Sequence, residues 1–393
     1  MAMKLFKIFS VFSAACGVAL FCAGCNGKTF SIYTNMPEGS FEISDKNYTL
    51  GGIIPGYVPT EKEVLPSAEN FTSKRRMYYS MTSNAELVVS ADFTAEGAED
   101  KYSEFVSAVG AELSAIDKAL SVTVVNSDVS KFNNAGAGET VEISHTAYKV
   151  LNIAKSVYDL TSGYYNPALY YNVFAYGFGG AYDYPKDESE LPDEETVVQY
   201  KELARHFGEV LLSCGEGENE GKYFVTKPEF SIEVGGENLA MKVDLGGIGK
   251  GYAVDCVDKL FEEYGYEYGY FNFGSSSMLV KGYTDGGSYN VGFAGPRSPM
   301  REPYLYTKIQ GEKLSTSGDN EQVYSIGGKR YCHIIDPTTG KPVQTGIMSV
   351  TVIGGSAAED DALTTAIMAM GKERAVQFIE EKLADRKVAF CCE

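Results

Sequence analysis

The sequence is poor in tryptophan, histidine and basic residues. It has no tryptophan, and three histidines (His145, His206 and His333) are too few to favour a histidine-built metal centre. Its 34 lysines and arginines are outnumbered by 53 aspartates and glutamates, which gives a formal net charge of -19. Because no basic stripe can neutralise phosphates, we do not expect nucleic-acid binding. An anionic ligand has to be held locally, by a single lysine, backbone amides or a metal ion.

Cysteine is also scarce in the part of the chain that follows residue 25. The five cysteines of that part are Cys214, Cys256, Cys332, Cys391 and Cys392. An odd number excludes a complete disulfide framework, and their spacing matches no zinc motif. The sequence also lacks the G-x-S-x-G and H-E-x-x-H motifs of hydrolases and zinc proteases. A hard, oxygen-bound cation is the metal class that these absences leave open.

No apolar run is long enough to span a membrane as a helix. Residues 8–21 are almost entirely apolar or small and follow Lys4 and Lys7. This length suits a signal peptide and is shorter than the roughly 20 residues that a bilayer requires. Residues 22–25 (CAGC) resemble a lipoprotein processing site. We therefore predict a signal peptide over residues 1–24 and a lipid on Cys25, with an ordinary secretory signal as the alternative. Both place the mature protein outside the cytoplasm.

Behind this signal, residues 25–72 are predicted to be a flexible linker. They are polar, contain several glycines and prolines, and show no helical period, although 48–54 suits a short extended piece. Residues 73–393 are then the folded domain. Apolar periodicity predicts helices near 99–120, 144–160, 195–207, 251–264 and 358–370, and strands near 87–90, 241–245 and 349–353. Asn166-Pro167 argues against a helix in 164–180. Helices and strands mix without strict alternation, which predicts an α+β fold.

The most informative stretch is the glycine segment, residues 244–251 (DLGGIGKG), which links a predicted strand to a helix. Glycines allow close approach to a ligand, a helix start offers free N–H groups, and Lys250 adds a positive charge. It is not a Walker A loop, because Asp244 stands at the first glycine position and Gly251 follows the lysine. It is not the dinucleotide-binding motif G-x-G-x-x-G either, because Tyr252 stands where the third glycine is required. The segment indicates either a phosphate site, with a metal ion beside it, or a tight turn carrying a surface lysine.

Downstream, four groups of residues suit chemistry. Residues 315–319 (STSGD) form a hydroxyl-rich turn, or a plain ST-turn. His333 precedes a turn closed by Asp-Pro and Gly, where it is either catalytic or structural. Asp361 and Thr365 are four apart on a helix, so both can offer oxygen to Mg²⁺ or Ca²⁺, although an aspartate also favours a helix start by itself. Residues 176–179 (YGFG) could stack on a planar ring or belong to the core.

Six motifs in order resemble the ApbE family, the FAD:protein FMN transferases, from Met81 to Met370. The family patterns are S-x-F-N, T-x-G-x-F-D-P, D-L-G-G-I-x-K-G-Y-x-V-D, T-S-G-D, H-I-I-D-P-x-T-G and D-A-L-x-T-A. The matching residues are 130–133, 161–167, 244–255, 316–319, 333–340 and 361–366. Three departures stand out: Thr82 replaces a common glycine, Tyr176 a common tryptophan, and Ser275 the second glycine of a frequent pair.

The resemblance implies a T-fold-like arrangement of mixed sheets and packed helices, with two lobes around a flavin nucleotide. It also implies site residues. Those that contact FAD are Met81, Tyr176, Gly177, Phe178, Asp244, Lys250 and Ile335. Those that hold Mg²⁺ are the backbone oxygen of Gly247 and the side chains of Asp361 and Thr365, an all-oxygen set. His333 is the candidate general base, and Asp319 is the alternative that orients the nucleophile.

The activity that the resemblance implies is Mg²⁺-dependent transfer of FMN from FAD to a Thr or Ser hydroxyl of an acceptor protein, with release of AMP. FAD is then a substrate. The acceptor is expected to be an exported or membrane electron-transfer protein, and this chain to be lipid-anchored at the bacterial membrane, on its periplasmic or extracellular face. Two alternatives stay open: Mg²⁺-dependent hydrolysis of FAD to FMN and AMP, and a lipoprotein that binds FAD without turnover.

Overall fold

The computed structural model describes residues 30–44, 48–51, 71–179, 183–282, 289–298 and 300–393. These ranges contain eight α-helices. The helices are α1 (Ala98–Leu120), α2 (Asp128–Asn134), α3 (His145–Leu160), α4 (Tyr170–Ala175), α5 (Glu194–Arg205), α6 (Gly246–Glu263), α7 (Ala357–Met370) and α8 (Lys372–Lys382). Short 3₁₀ turns lie at Glu188–Glu190, His206–Glu209 and Gly217–Asn219.

The same described ranges contain twenty-one strands. They are β1 (Phe30–Thr34), β2 (Phe41–Ile43), β3 (Tyr48–Gly51), β4 (Phe71–Ser80), β5 (Ser83–Asp92), β6 (Thr140–Ile143), β7 (Leu211–Cys214), β8 (Tyr223–Thr226), β9 (Ser231–Val234), β10 (Glu237–Ala240), β11 (Gly269–Phe273), β12 (Ser277–Lys281), β13 (Tyr289–Ala294), β14 (Pro303–Ile309), β15 (Lys313–Gly318), β16 (Val323–Ile326), β17 (Lys329–Cys332), β18 (Ile335–Asp336), β19 (Lys341–Pro342), β20 (Ile347–Ile353) and β21 (Lys387–Cys392).

Nine strands form the central sheet, in the order β3-β1-β21-β20-β15-β12-β11-β5-β4. Its pairs are antiparallel except β1 with β3. Every residue of β20 is buried, as expected for a strand covered on both faces. On one face lie the helices, with α6 and α7 adjacent; on the other, the β13-β14-β2 sheet adds a second apolar cluster. The molecule is therefore α+β, as the sequence predicts.

The predicted helices at 99–120, 144–160, 195–207 and 358–370 are confirmed as α1, α3, α5 and α7. The strand predicted at 241–245 is wrong: this stretch is irregular, because its backbone bonds to Asn133 and Pro167 instead of to a strand. Helix α6 starts at Gly246, five residues before the predicted helix. The expectation of no helix in 164–180 is also wrong, since α4 begins after the Asn-Pro turn has closed.

The predicted linker requires a correction too. Strand β1 pairs with β21 at the edge of the central sheet, and β2 pairs with β14. Ile32 and Met36 are buried, so this part of 25–72 belongs to the domain core. The extended piece expected near residue 48 is present as β3. The predicted signal peptide, Cys25 and residues 52–70 lie outside the described residues. None of the helices that the structure describes has the length and apolarity needed to cross a membrane.

The β4–β5 hairpin turns through two residues in the left-handed region, Met81 (φ 45°) and Thr82 (φ 55°). Both central residues with positive φ define a type I′ turn, which favours Asn and Gly and penalises a β-branched residue. We predict that Thr82→Gly stabilises the protein by about 1 kcal/mol, visible as a higher thermal midpoint. Thr82→Ala keeps the Cβ and should show no such gain; equal midpoints in the two variants would contradict the explanation.

Candidate functional site

Helices α6 and α7 meet at backbone distance, and this contact builds the site. The Gly251 N–H donates to Oδ2 of Asp361 at 3.1 Å, and a Cβ on Gly251 would lie 2.0 Å from the carbonyl oxygen of Ala357. On the next turn of α6, Asp255 accepts hydrogen bonds from the N–H groups of Ala357 and Ala358 at 2.9 and 3.0 Å. It thus caps α7 and fixes the position of this helix beside the glycine segment.

Asp244 is placed by two of the sequence motifs. The side-chain amide of Asn133 bonds the backbone of Val243 in both directions, at 2.9 and 2.8 Å. The Asp244 N–H donates to the carbonyl oxygen of Pro167 at 2.9 Å, and its Oδ1 accepts the Gly246 N–H at 2.8 Å. Sequence reasoning assigned no role to Asn133 or Pro167. Their place in the matched motifs was the only signal, and the structure shows that they position Asp244.

The structure brings the three predicted metal residues together. Gly247 departs from helical geometry (φ -82°, ψ 15°), and a Cβ on it would lie 3.5 Å from Oγ1 of Thr365. The Thr365 hydroxyl lies 3.5 Å from the carbonyl oxygen of Asp361 and 3.4 Å from Oγ of Ser317. Asp361 is buried. Gly247 and Thr365 are thus neighbours where the kinked start of α6 faces α7, and the Asp361 carboxylate lies on the same side of α7, against Gly251.

This donor set fits a magnesium ion. Within the described ranges, no group of three or more His, Cys, Asp or Glu side chains lies together. The predicted donors are one carboxylate, that of Asp361, and the neutral oxygens of Gly247 and Thr365. Mg²⁺ is commonly bound in this way, since it keeps waters and takes further oxygens from substrate phosphates. The buried hydroxyl of Tyr165, next to Gly247, has no hydrogen-bond partner. A hydrated ion held here would supply the polar neighbour that this hydroxyl lacks.

Lys250 is the positive charge of the site. Burial raises the pKa values of Asp244 and Asp361, and Lys250 acts against this rise at both carboxyls. It also lowers the pKa of His333. Lys250 forms no ion pair with any residue that the structure describes. Its ammonium group is therefore available to an anionic ligand that approaches the start of α6.

His333 lies near the same charges. Its backbone N–H donates to the carbonyl oxygen of Gln322 at 3.1 Å, while the ring Nδ1 is buried without a hydrogen-bond partner. Burial is the main cause that lowers its pKa, and the negative charge of Glu321 acts in the opposite direction. A histidine with a lowered pKa is neutral at pH 7 and can accept a proton.

An aromatic cluster of Tyr176, Phe178, Tyr184, Tyr324 and Tyr331 adjoins His333. The rings of Tyr324 and Tyr331 stack at 5.2 Å with an interplanar angle of 7°, and Phe178 lies 5.4 Å from Tyr324 and 6.5 Å from the His333 ring. Such ring faces suit stacking on a planar ligand. Sequence reasoning found Tyr176 and Phe178 and missed the other three. The alternation of β16 and β17, which places Tyr324 opposite Tyr331, was the available signal.

The turn of Gly177 depends on glycine. Its φ is +79°, and a Cβ there would lie 2.6 Å from the carbonyl oxygen of Asp183.

Ile335 is buried in β18, two residues after His333, and β18 packs against α7. Met81 reaches the glycine segment from the β4–β5 hairpin, with Sδ 3.3 Å from the Cβ position of Gly249. These placements are compatible with the predicted FAD contacts, which stay predictions.

Asp319 lies in a different environment. Arg297 donates to both oxygens of its carboxylate at 2.6 Å, and Arg330 donates to its backbone oxygen at 3.1 Å. These groups line a cavity of about 160 Å³ that also contains Cys332 and Glu393. A carboxylate paired in both oxygens is less free to orient a nucleophile than an unpaired one. The role predicted for Asp319 stays a prediction.

Comparison with known proteins gives consistent results. The model of the ApbE family matches residues 81–390. The FAD:protein FMN transferase of Klebsiella pneumoniae (strain 342) is 27% identical over 274 residues, 70% of this chain and 73% of the relative. That of Escherichia coli (strain K12) is 33% identical over 140 residues, 36% of this chain and 40% of the relative.

Two solved structures show the same fold. The ApbE protein of Thermotoga maritima superposes with a TM-score of 0.64 at 24% identity, over 81% of this chain and 93% of that one. The flavin transferase ApbE of Vibrio cholerae gives a TM-score of 0.62 at 22% identity, over 82% and 98% of the two chains. The mixed helices and sheets described above are thus shared with solved proteins.

Proposed function

We propose a specific reaction for this chain, which belongs to the ApbE family and is an FAD:protein FMN transferase. It needs Mg²⁺, and the acceptor is a Thr or Ser hydroxyl of a partner protein. The hydroxyl oxygen bonds to the FMN-side phosphorus of FAD, the anhydride bond to the AMP phosphate breaks, and AMP leaves. The proposal rests on one observation: Lys250 lies near the kinked start of α6, and Asp361 and Thr365 of α7 face the same turns.

In this proposal the pyrophosphate of FAD lies at the start of α6. The positive end of the α6 helix dipole and the Lys250 ammonium group offset its negative charge. Gly247, Asp361 and Thr365 would hold Mg²⁺ through their oxygens. When bound, the ion supplies Lewis-acid stabilisation of the charge that develops on the phosphate oxygens. The aromatic cluster receives the flavin ring, and Tyr176 and Phe178 are the members of the cluster that are predicted to contact it.

His333 is the proposed general base. Being neutral and half-buried beside the aromatic cluster, it can take the proton of the acceptor hydroxyl as the oxygen attacks phosphorus. Asp319 stays the alternative for orienting the nucleophile, although its pairing with Arg297 makes it the weaker candidate.

We predict that His333→Ala lowers kcat for FMN transfer by about 10²- to 10⁴-fold, the usual contribution of a general base. Because burial lowers the pKa of His333 from 6.5, the neutral form persists below pH 6.5. The wild-type rate should therefore stay constant near neutrality and fall with acid only below that pH. Kinetics of kcat/KM from pH 5 to 8 measure this. If the variant keeps the same acid limb, His333 is not the titrating base.

The reaction itself is tested by incubating the protein with FAD, Mg²⁺ and a flavin-acceptor domain, followed by mass spectrometry of the acceptor. The transferase predicts an acceptor heavier by one FMN group, and AMP in solution. An FAD hydrolase predicts FMN and AMP without any acceptor, and a binding lipoprotein predicts intact FAD. If FAD binds and the acceptor gains no mass, the transferase assignment is wrong.

We also propose that the protein is exported and anchored by a lipid on Cys25, where it would meet an exported or membrane electron-transfer acceptor. Support comes from the basic start, the short apolar run and the small residues before Cys25. Membrane fractionation of cells that express the wild type and Cys25→Ala tests this. The wild type should sediment with membranes and the variant should not; equal distribution would contradict the anchor.

A further inference from the structure

Tyr165 has a hydroxyl group that the fold leaves without a partner. The side chain is 3% exposed, and its oxygen is buried with no hydrogen bond. The residue is held firmly at its backbone, where the N–H donates to Oγ1 of Thr161 at 3.1 Å. Burying an unpaired hydroxyl is destabilising, so such a group in a well-ordered core requires an explanation.

The surroundings of this hydroxyl are those of the proposed cation site. The Tyr165 ring lies 3.8 Å from the Cβ position of Gly247, the same position that lies 3.5 Å from the Thr365 hydroxyl. Burial raises the pKa of the Tyr165 hydroxyl well above 10, and the charges of Asp361 and Asp244 add to this rise. The hydroxyl therefore stays protonated and is near enough to both carboxylates to feel their charge.

Packing alone does not account for the oxygen. A phenylalanine ring fills the same space and carries no polar atom. The hydroxyl of Tyr165 is therefore a buried polar group that costs stability unless a ligand satisfies it.

We propose that the Tyr165 hydroxyl hydrogen-bonds a water molecule on the cation that Gly247, Asp361 and Thr365 hold. Tyr165 is then a positioning residue for the metal, and the inference rests on the proposed function. Mg²⁺ in proteins usually keeps several of its waters, and these need acceptors. A tyrosine oxygen can accept a hydrogen bond from such a water. Outer partners of this kind tune metal affinity.

The test compares Mn²⁺ binding by the wild type, Tyr165→Phe and Tyr164→Phe. Mn²⁺ stands in for Mg²⁺ because its unbound form is quantified directly by electron paramagnetic resonance. We expect Tyr165→Phe to bind Mn²⁺ about tenfold more weakly or worse, as for other outer partners. Tyr164→Phe is the matched control, because its hydroxyl contacts Arg374 near the surface, and its Mn²⁺ affinity should equal that of the wild type.

Thermal unfolding gives a second readout. Without metal, Tyr165→Phe should unfold at the wild-type midpoint or above it, since the variant loses an unpaired buried oxygen. The rise in midpoint on addition of Mn²⁺ should be smaller than in the wild type. Equal Mn²⁺ affinity in wild type and Tyr165→Phe, or a lower midpoint of the metal-free variant, overturns this inference and leaves the proposed function intact. A wild type that binds no Mn²⁺ overturns both.

Discussion

Replacing Asp361 by asparagine should lower kcat/KM for FMN transfer on the order of 10³-fold, equivalent to about 4 kcal/mol of transition-state stabilisation. Asp361 is the one carboxylate of the proposed cation site, and a neutral amide removes the charge that holds the ion. The change is otherwise mild. Asparagine has nearly the same shape, and its side-chain oxygen can still accept the Gly251 N–H that Asp361 accepts at 3.1 Å. The loss should therefore appear in turnover and Mg²⁺ dependence, with little change in the unfolding midpoint.

The neighbouring Asp360 provides the control. It is equally buried, yet it points to other partners: Oδ2 accepts the Gly355 N–H at 3.0 Å, and Oδ1 accepts from Arg386 Nε at 3.1 Å. Asp360→Asn should keep kcat/KM within a few-fold of the wild type. Steady-state kinetics over a range of Mg²⁺ concentrations separate the two variants. If both variants lose turnover equally, the loss reflects a folding defect, and Asp361 is not a ligand of the metal ion.

Asp360 also shows how burial alone shifts a carboxyl group. Burial raises its pKa from 3.8 to about 6, and Arg386 offsets only part of this rise. The folded state then binds the proton more tightly than the unfolded state, so this residue makes the protein less stable as the pH rises from about 4 to about 6. Asp360→Asn removes this dependence, which is why its stability should be compared with that of the wild type at one fixed pH.

Local pattern predicted the helices well and the strands less well. Helix α1 carries its buried residues Phe105, Val109, Leu113 and Ile116 at helical spacing, and such a stripe is readable from sequence. Residues 241–245 carry buried and half-buried residues in alternation, the usual sign of a strand. What decides their structure is the bonding of Val243 to Asn133, 110 positions away. No local pattern contains that pairing.

The same limit explains the first strand. Strand β1 was predicted to be linker because its own sequence has no strong period, and its partner β21 lies at the far end of the chain. Pairing over such a distance depends on the finished fold, where β1 covers the edge that β21 would otherwise expose. Local composition therefore could not distinguish this strand from a tether.

Part of the candidate site could be predicted from the sequence, because that part consists of local patterns. Asp361 and Thr365 share a helical face, and the glycine segment is contiguous, so both are local patterns. Their meeting across α6 and α7 was implied only by the family resemblance. Residues that position the site, such as Asn133 and Asp255, carry no local chemical signal, because their effect consists of bonds to distant backbone groups.

Gly251→Ala should be the most destabilising single change in this part of the molecule, by about 3 kcal/mol or more. Helix propensity alone predicts the reverse, since alanine favours a helix by about 1 kcal/mol over glycine. A steric clash outweighs this gain in helix propensity, so the net effect on stability is negative. An added Cβ would lie 2.0 Å from the carbonyl oxygen of Ala357 and 2.8 Å from Cα of Ala358, and these are backbone atoms that cannot rotate away.

Nor can the two helices separate at low cost. The caps from Asp255 to Ala357 and Ala358 hold the start of α7 against α6, and the Gly251 N–H bond to Asp361 crosses the same gap. Moving α7 outward breaks these bonds and leaves the buried Asp361 carboxylate without its N–H donor. Gly251→Ala should therefore lower the unfolding midpoint and weaken Mn²⁺ binding together.

The matched control is Gly249→Ala, two residues earlier in the same helix. There the added Cβ meets Sδ of Met81 at 3.3 Å, the end of a flexible side chain that can move aside. Its stability should stay within about 1 kcal/mol of the wild type, because propensity and crowding act in opposite directions. Thermal unfolding of both variants in the absence of metal measures the difference. If Gly251→Ala is as stable as Gly249→Ala, helices α6 and α7 do not meet at backbone distance in solution, and the meeting of Gly247, Asp361 and Thr365 that depends on this contact is wrong.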